Sequence, residues 1–285
     1  MPASTMLLGG DVVTNNQSVR MDVDYRGYTP NIVLEDAINN SIQFMSQFSY
    51  LSELHLTPDP VWNKLTDDPI YTLRFYPSEF EGAEIYTAVN AESGDIISIS
   101  PGRRVVEHLK RSPENTNLLS KDDIETCAYE FLSANNYTLS PYMRYIEPTL
   151  VNDTTFIGFH VYRLYFICIM NDTRVMGNGL RLELDIQTGE VLLFSYRWIH
   201  VESIPTVDRI TALSAERNAV HHLQINHEIV GLIVTSSSLR FEDIESYPTH
   251  KFWLCWYIEI QHEDVGYVLV NAINGKILAI GWRMI

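Results

Sequence analysis

Cysteine, clustered basic residues and long apolar runs are scarce in this chain, and each shortage removes a class of function. Only three cysteines occur, Cys127, Cys168 and Cys255. No two form a C-x-x-C pair, which excludes zinc ribbons and thioredoxin-type redox sites. At least one thiol must stay unpaired. Cys127 falls on the apolar stripe of a predicted helix, and Cys168 and Cys255 fall in apolar strands, so all three read as small buried hydrophobes. Lys and Arg total 20 against 36 Asp and Glu, giving a formal charge of −16 and a pI near 4.9. Without a basic cluster to neutralise phosphates, nucleic acid is excluded as a partner. The acid excess reads first as a solubilising surface, and as a functional feature it would suit a basic or cationic partner. No segment reaches the roughly 18 uninterrupted apolar residues of a membrane span. Met1 to Arg20 lacks the basic start and apolar core of a signal peptide, so the chain reads as soluble.

Catalytic signatures are missing too. Nine histidines occur, densest at His221, His222 and His227, but there is no H-E-x-x-H, and His222 and His227 lie off the same-face helical spacing. They read as a solvated or partly packed helix face, with no metal or cofactor expected. No G-x-S-x-G nucleophile elbow is present, and Gly177-Asn178-Gly179 reads as a turn between strands rather than a phosphate loop. The carboxylate groups Glu183/Asp185 and Glu242/Asp243/Glu245 read as acidic surface. No catalytic residue is assigned, and the chain is expected not to be an enzyme.

A short pattern is present three times: Val89-Asn90-Ala91-Glu92-Ser93-Gly94-Asp95-Ile96, Leu184-Asp185-Ile186-Gln187-Thr188-Gly189-Glu190-Val191 and Val270-Asn271-Ala272-Ile273-Asn274-Gly275-Lys276-Ile277. In each copy a glycine (Gly94, Gly189, Gly275) can take the positive φ of a tight hairpin. The preceding Asn or Asp (Asn90, Asp185, Asn271) can bond to backbone groups of the turn. This chemistry is architectural, and it marks one supersecondary unit used three times.

Each copy is preceded by a helical pattern. Ile32 to about Leu54 carries apolar residues at helical spacing behind Pro30. Ser120 with Asp123 forms an acidic capping box ahead of Ile124, Cys127, Ala128, Phe131 and Leu132, and Thr211 to Asn226 points Ala212, Ala215, Ala219, Val220 and Leu223 inward. Strands are predicted at 70–76 and 83–100, then at 144–151, 156–170 and 174–198, and finally at 228–241, 251–260, 266–272 and 276–284. Helix first, then hairpin-connected strands, predicts α+β units with antiparallel sheets. The expected division is an irregular lead-in at 1–30 and units at 31–112, 113–203 and 204–285. Phe252 to Ile260 is apolar on both faces and predicts a sheet covered on both sides, whereas Arg181, Glu183 and Asp185 alternate with leucines and predict a solvated or partner-facing surface.

These helix–strand–hairpin copies resemble the PepSY family, including peptidase propeptides and YpeB-type and YycH/YycI-like regulators. The likeness is clearest over 118–198, with Tyr162-Arg163-Leu164-Tyr165-Phe166 and Val175 to Val191. It is looser over 208–285 and weakest over 32–100. Copies one and three carry Asn where the family has Asp, and no protease domain follows. The resemblance implies three α+β modules, each a helix on an antiparallel sheet, in a non-catalytic regulatory role outside the cytoplasm, with cytoplasmic placement as the alternative. Five N-x-S/T acceptors, at Asn16, Asn39, Asn136, Asn152 and Asn171, fit an outer-surface domain.

Recognition would fall to the aromatic residues Tyr196, Trp198, Trp253, Trp256, Tyr257 and Trp282, which become a binding site if exposed together and core if not. The expected function is therefore binding of a protein or peptide partner, such as a protease or sensor, through sheet faces or a groove between units. An envelope hydrolase with an acidic groove would instead need convergent polar groups with shifted pKa in a cleft. A structural spacer would show neither.

Overall fold

The computed structural model describes residues 12–15, 18–24, 29–66, 69–106, 118–152, 160–197, 208–245 and 249–283. In chain order the elements are β1 (Val12–Asn15), β2 (Ser18–Asp24), α1 (Leu34–Met45), β3 (Leu56–Pro58), β4 (Lys64–Leu65), β5 (Ile70–Pro77), β6 (Ile85–Asn90), β7 (Ile96–Pro101), α2 (Arg103–Val106) and α3 (Lys121–Ala134). They continue with β8 (Met143–Asn152), β9 (His160–Met170), β10 (Thr173–Asp185), β11 (Val191–Arg197), α4 (Ala212–His227), β12 (Ile233–Glu245), β13 (Thr249–Gln261), β14 (Val265–Asn271) and β15 (Ile277–Trp282). The architecture is α+β, with extensive antiparallel sheet and few helices. Among the described residues no helix is long and apolar enough to cross a membrane.

The chain divides into two compact units. Among the described residues, one takes in 29–66, 69–106, 118–152, 160–167 and 178–197, the other 12–15, 18–24, 168–177, 208–245 and 249–283. The expected boundary near 112 lies outside the described residues.

In the first unit the strands run β3-β5-β6-β7-β11-β10-β9-β8, with β4 also on β5. The expected copies one and two are joined here because β7 pairs antiparallel with β11, Ile99 opposite Phe194 and Ser98 opposite Ser195. Their helices meet above this seam. Phe44 of α1 and Phe131 of α3 lie 6.2 Å apart, and each stands within 6.0 Å of the Phe194 ring. Such edge-to-face and tilted aromatic pairs are favourable beyond the apolar area they bury.

Helix α3 begins as predicted, with Ser120 Oγ accepting from the Asp123 N–H while the Asp123 carboxylate accepts from the Ser120 N–H. It buries Ile124, Ala128 and Leu132, one residue per turn. Cys127 lies beside that stripe and is half-buried. Helix α1 is shorter than its apolar periodicity predicts. Past Met45 the bonds change to Gln47 N–H to Phe44 O and Phe48 N–H to Met45 O, a tightened turn that still buries Phe48 and Leu51.

In the second unit α4, capped by Thr211, lays Ala215, Ala219 and Leu223 on Ile258, Ile260, Val265, Val268 and Val270. The strands run β1-β2-β13-β12, and β13 also pairs β14, which pairs β15. The lead-in expected at 1–30 is therefore structured over 12–15 and 18–24, since β2 pairs with Thr249–Trp253 of β13. Backbone pairing to a distant strand leaves little mark on composition. One short pairing is parallel, Arg174 with Arg240 and Val175 with Phe241. Residues 177–179, read from the sequence as a turn, lie within β10. There Gly179 adopts φ +153°, and a Cβ would strike the Phe166 carbonyl.

Candidate interaction site

The three glycine hairpins share one construction. Asn90 Oδ1 accepts from the Glu92 and Ser93 N–H (2.8 and 3.4 Å), Asp185 Oδ1 from Gln187 and Thr188 (2.9 and 3.0 Å), and Asn271 Oδ1 from Ile273 and Asn274 (2.8 and 3.2 Å). The glycine N–H returns to the carbonyl of the same Asn or Asp in all three, at 2.9, 2.9 and 3.0 Å. Gly94, Gly189 and Gly275 sit at φ +80°, +71° and +73°, which L side chains rarely adopt. Each turn also ties down the approach to its helix. The N–H groups of Ile32, Leu119 and Ile210 donate to the carbonyls of Ala91, Ile186 and Ala272.

A second set of residues serves these turns without having been marked by the sequence motif. Asn40 and Asn218 donate their amides to the carbonyls of Gly94 and Gly275 at 3.1 and 3.2 Å. Both are the seventh residue after the helix cap, and in α3 that position is Cys127, whose sulfur lies against Gly189. Aligning the helices on their caps would have found all three.

The aromatic residues singled out in the sequence differ in burial and surroundings. Tyr196 is buried, packed on Tyr137 at 5.5 Å. Trp198 lies outside the described residues. Trp256 packs against the core under α4 and donates its indole N–H to the Ile210 carbonyl at 3.0 Å. Trp253 and Tyr257 are half-buried on the sheet face away from α4. There the Arg240 guanidinium lies 3.5 Å from the centre of the Tyr257 ring, Tyr257 stacks on Tyr267 at 4.9 Å, and the Tyr267 ring lies across Gly281. The second covering expected for this face thus comes partly from its own side chains. Trp282 is 49% exposed, its ring 5.2 Å from His227.

A different cluster, missed in the sequence, stands on the first unit's sheet face opposite α1. Asp59 is buried, and its Oδ1 accepts from the N–H of Val61 and Trp62 (2.8 and 3.0 Å). Its Oδ2 accepts from Arg74 Nε and Nη2 (3.0 and 2.5 Å) and from the Tyr76 hydroxyl (2.9 Å). The Trp62 and Val61 amides, then the Arg74 guanidinium, hold the Asp59 carboxyl well below the usual carboxylate range. Arg74 in turn lies 4.7 Å from the Trp62 ring centre and 5.2 Å from that of Tyr76, and it pairs with Glu84 at 3.4 Å. Around this fixed cation Val61, Trp62 and Tyr86 are 88%, 45% and 37% exposed. The sequence signal was faint: an Asp between two prolines, then a strand in which Thr72, Arg74 and Tyr76 alternate with buried residues.

The carboxylates Glu183 and Asp185, read from the sequence as surface, are both fully buried. Asp185 is consumed by its turn. Glu183 Oε1 accepts from Arg163 Nε at 2.6 Å and Arg181 Nε at 3.0 Å, so the alternating charges of β10 form an ion cluster instead of a freely solvated face. Among the described residues Glu183 Oε2 has no hydrogen-bond partner.

Acid–base chemistry finds little to work with in the open cleft of about 640 Å³ at the end of α3, lined by Tyr129, Leu132, Ser133, Asn136, Tyr137, Thr138 and Leu139. Its titratable groups are two tyrosines, both pushed up by burial, and the Tyr137 hydroxyl already donates to the Ile96 carbonyl at 2.6 Å. Among the described residues no group of three His, Cys, Asp or Glu is placed to hold a metal ion. His222 instead bonds Asn226 at 2.8 Å and approaches the His227 ring at 5.5 Å.

No family model matches the chain, and no curated protein matches it. Among solved structures it is similar to the C-terminal domain of YpeB from Bacillus megaterium, at 13% identity over 90% of this chain and 100% of that one, with a TM-score of 0.43. It is also similar to an uncharacterized protein from Eubacterium rectale, at 10% identity over 96% of this chain and 89% of that one, with a TM-score of 0.48.

Proposed function

We propose that this chain is a non-catalytic binding module of three PepSY-like copies, acting outside the cytoplasm, and that a regulated protein or peptide docks around Arg74. The observation carrying the docking surface is the Arg74 guanidinium, fixed by Asp59 beside the rings of Trp62 and Tyr76, with Val61, Trp62 and Tyr86 open to solvent around it. Trp, Tyr and Arg supply a disproportionate share of binding energy at interfaces. An arginine already locked by a buried carboxylate loses less rotamer freedom when a partner arrives. The recurring hairpin supports the three-copy reading, and the PepSY resemblance supports the compartment and the regulatory role. The hydrolase reading is disfavoured because the α3 cleft presents neutral phenols in place of an acid–base pair.

The test compares wild-type chain with a Trp62→Ala/Tyr86→Ala variant as immobilised bait for an envelope extract of the source organism. A discrete protein retained by wild type and lost from the variant supports the assignment; equal retention overturns this surface. Fractionation of the source cells tests the compartment, and a signal confined to the cytosol would overturn that part.

A further inference from the structure

From the internal symmetry of the fold we infer that β15 is a self-association edge, and that two copies of this chain pair through it antiparallel. The strand following the glycine hairpin is β7, β11 and β15 in the three copies. In the first unit β7 and β11 pair with each other, and the geometry is symmetric. Ile99 and Phe194, each five residues past its glycine, stand opposite one another, while Ser98, four past, faces Ser195, six past. That is the register a two-fold axis through the fifth position would produce.

Among the described residues β15 pairs only with β14, so its other edge has no mate. The exposure of matching residues records the difference. The third, fifth and seventh positions past the glycine are Ile97, Ile99 and Pro101 in β7 and Leu192, Phe194 and Tyr196 in β11, all buried. In β15 they are Leu278 and Ile280, half-buried, and Trp282, 49% exposed.

Edge strands are normally guarded by charge, proline or shortness. The three-residue β3 ends in Pro58, and β8 carries Arg144, Glu147 and Pro148. By contrast β15 reads Ile-Leu-Ala-Ile-Gly-Trp, with no charge and no proline.

The helix beside the edge matches as well. Eleven residues past the cap stand Phe44 in α1, Phe131 in α3 and His222 in α4, and the first two pack together across the β7–β11 seam. On the same stripe of α4 lies Ile225, 65% exposed. Placing a second chain by the β7–β11 rule puts Ile280 opposite Ile280, Ala279 opposite Gly281 and Leu278 opposite Trp282, with the two α4 helices meeting near His222 and Ile225. Six strand residues and one helix stripe fall short of the ~800 Å² per partner of a standard interface. The dimer should therefore be weak, with Kd on the order of micromolar. A charge of −16 on each chain opposes it, so added salt should strengthen it.

Sedimentation of the full chain over a concentration series tests this. Expected are a monomer–dimer equilibrium that tightens between about 50 and 300 mM salt and its loss in Trp282→Lys at unchanged circular dichroism. His222→Phe should tighten the equilibrium by about two- to tenfold through a restored aromatic pair. Ile280→Cys should form a disulfide-linked dimer under mild oxidation. A chain that stays monomeric at the highest soluble concentration overturns the inference, as does a dimer indifferent to Trp282→Lys. His222→Phe without effect overturns the helix contact.

Discussion

Ile99 stands directly opposite Phe194, and the two residues occupy the same place in their copies, the fifth after the hairpin glycine. The contact joins two copies into one unit and explains why the chain folds as two compact bodies although its hairpin recurs three times. It also gives the matching Ile280 a meaning that β15 alone would not reveal.

The first prediction concerns the turns. Asn90→Ala, Asp185→Ala and Asn271→Ala each leave two turn N–H groups without their acceptor and are expected to cost about 1–3 kcal/mol in urea unfolding. Asp185→Asn should be close to neutral, because Asn builds the same turn in the other two copies. A large loss for Asp185→Asn would show that its charge matters beyond the turn.

The middle hairpin lacks the amide latch that Asn40 and Asn218 provide in the outer two. Cys127→Asn should add a hydrogen bond to the Gly189 carbonyl and stabilise the chain by about 0.5–1.5 kcal/mol. The check is the melting temperature; a decrease would mean that the packing around Leu119 and Gly189 does not admit the longer side chain.

Acid sensitivity should trace partly to Asp59. Its carboxyl is held below the usual range in the folded chain, chiefly by the Trp62 and Val61 amides and then by Arg74. Its stabilising contribution is therefore complete above the unfolded value near ~3.9 and is lost as pH falls through the folded one. Asp59→Asn should lower stability at neutral pH and flatten the decline between about pH 5 and 2. A profile parallel to wild type would sink this assignment.

Thiol reactivity should separate the cysteines. Cys168 and Cys255 are fully buried, and burial pushes the Cys168 thiol up to about 11. Under native conditions at pH 8 a disulfide reagent should reach Cys127 alone, and slowly, since burial and then Glu130 and Asp123 raise its pKa. All three should react at once in denaturant. Rapid native labelling of Cys168 or Cys255 would contradict the packing.

What the sequence made legible follows from how local the physics is. The Asn/Asp–Gly turn, the Ser120–Asp123 capping box and the stripes of α3 and α4 depend on residues within one or two turns of each other, so spacing reveals them. Asp59 and Arg74 meet only because β5 brings position 74 back beside position 59. Glu183 reads as solvated because its strand alternates; Arg181 on the same strand is visible in the sequence, but its second partner, Arg163, comes from the neighbouring β9. The β2–β13 pairing joins segments more than 200 positions apart in the sequence through backbone groups every residue carries. Residue type alone does not tell an aromatic at a rim, such as Trp282, from one in a core, such as Tyr196.

The bond from the residue before the cap of each of α1, α3 and α4 to a residue inside the following glycine hairpin, as from Leu119 N–H to the Ile186 carbonyl, closes each of these segments into a ring. The strand beyond the hairpin lies outside the ring. There β7 and β11 lie side by side, whereas β15 has β14 alone beside it among the described residues.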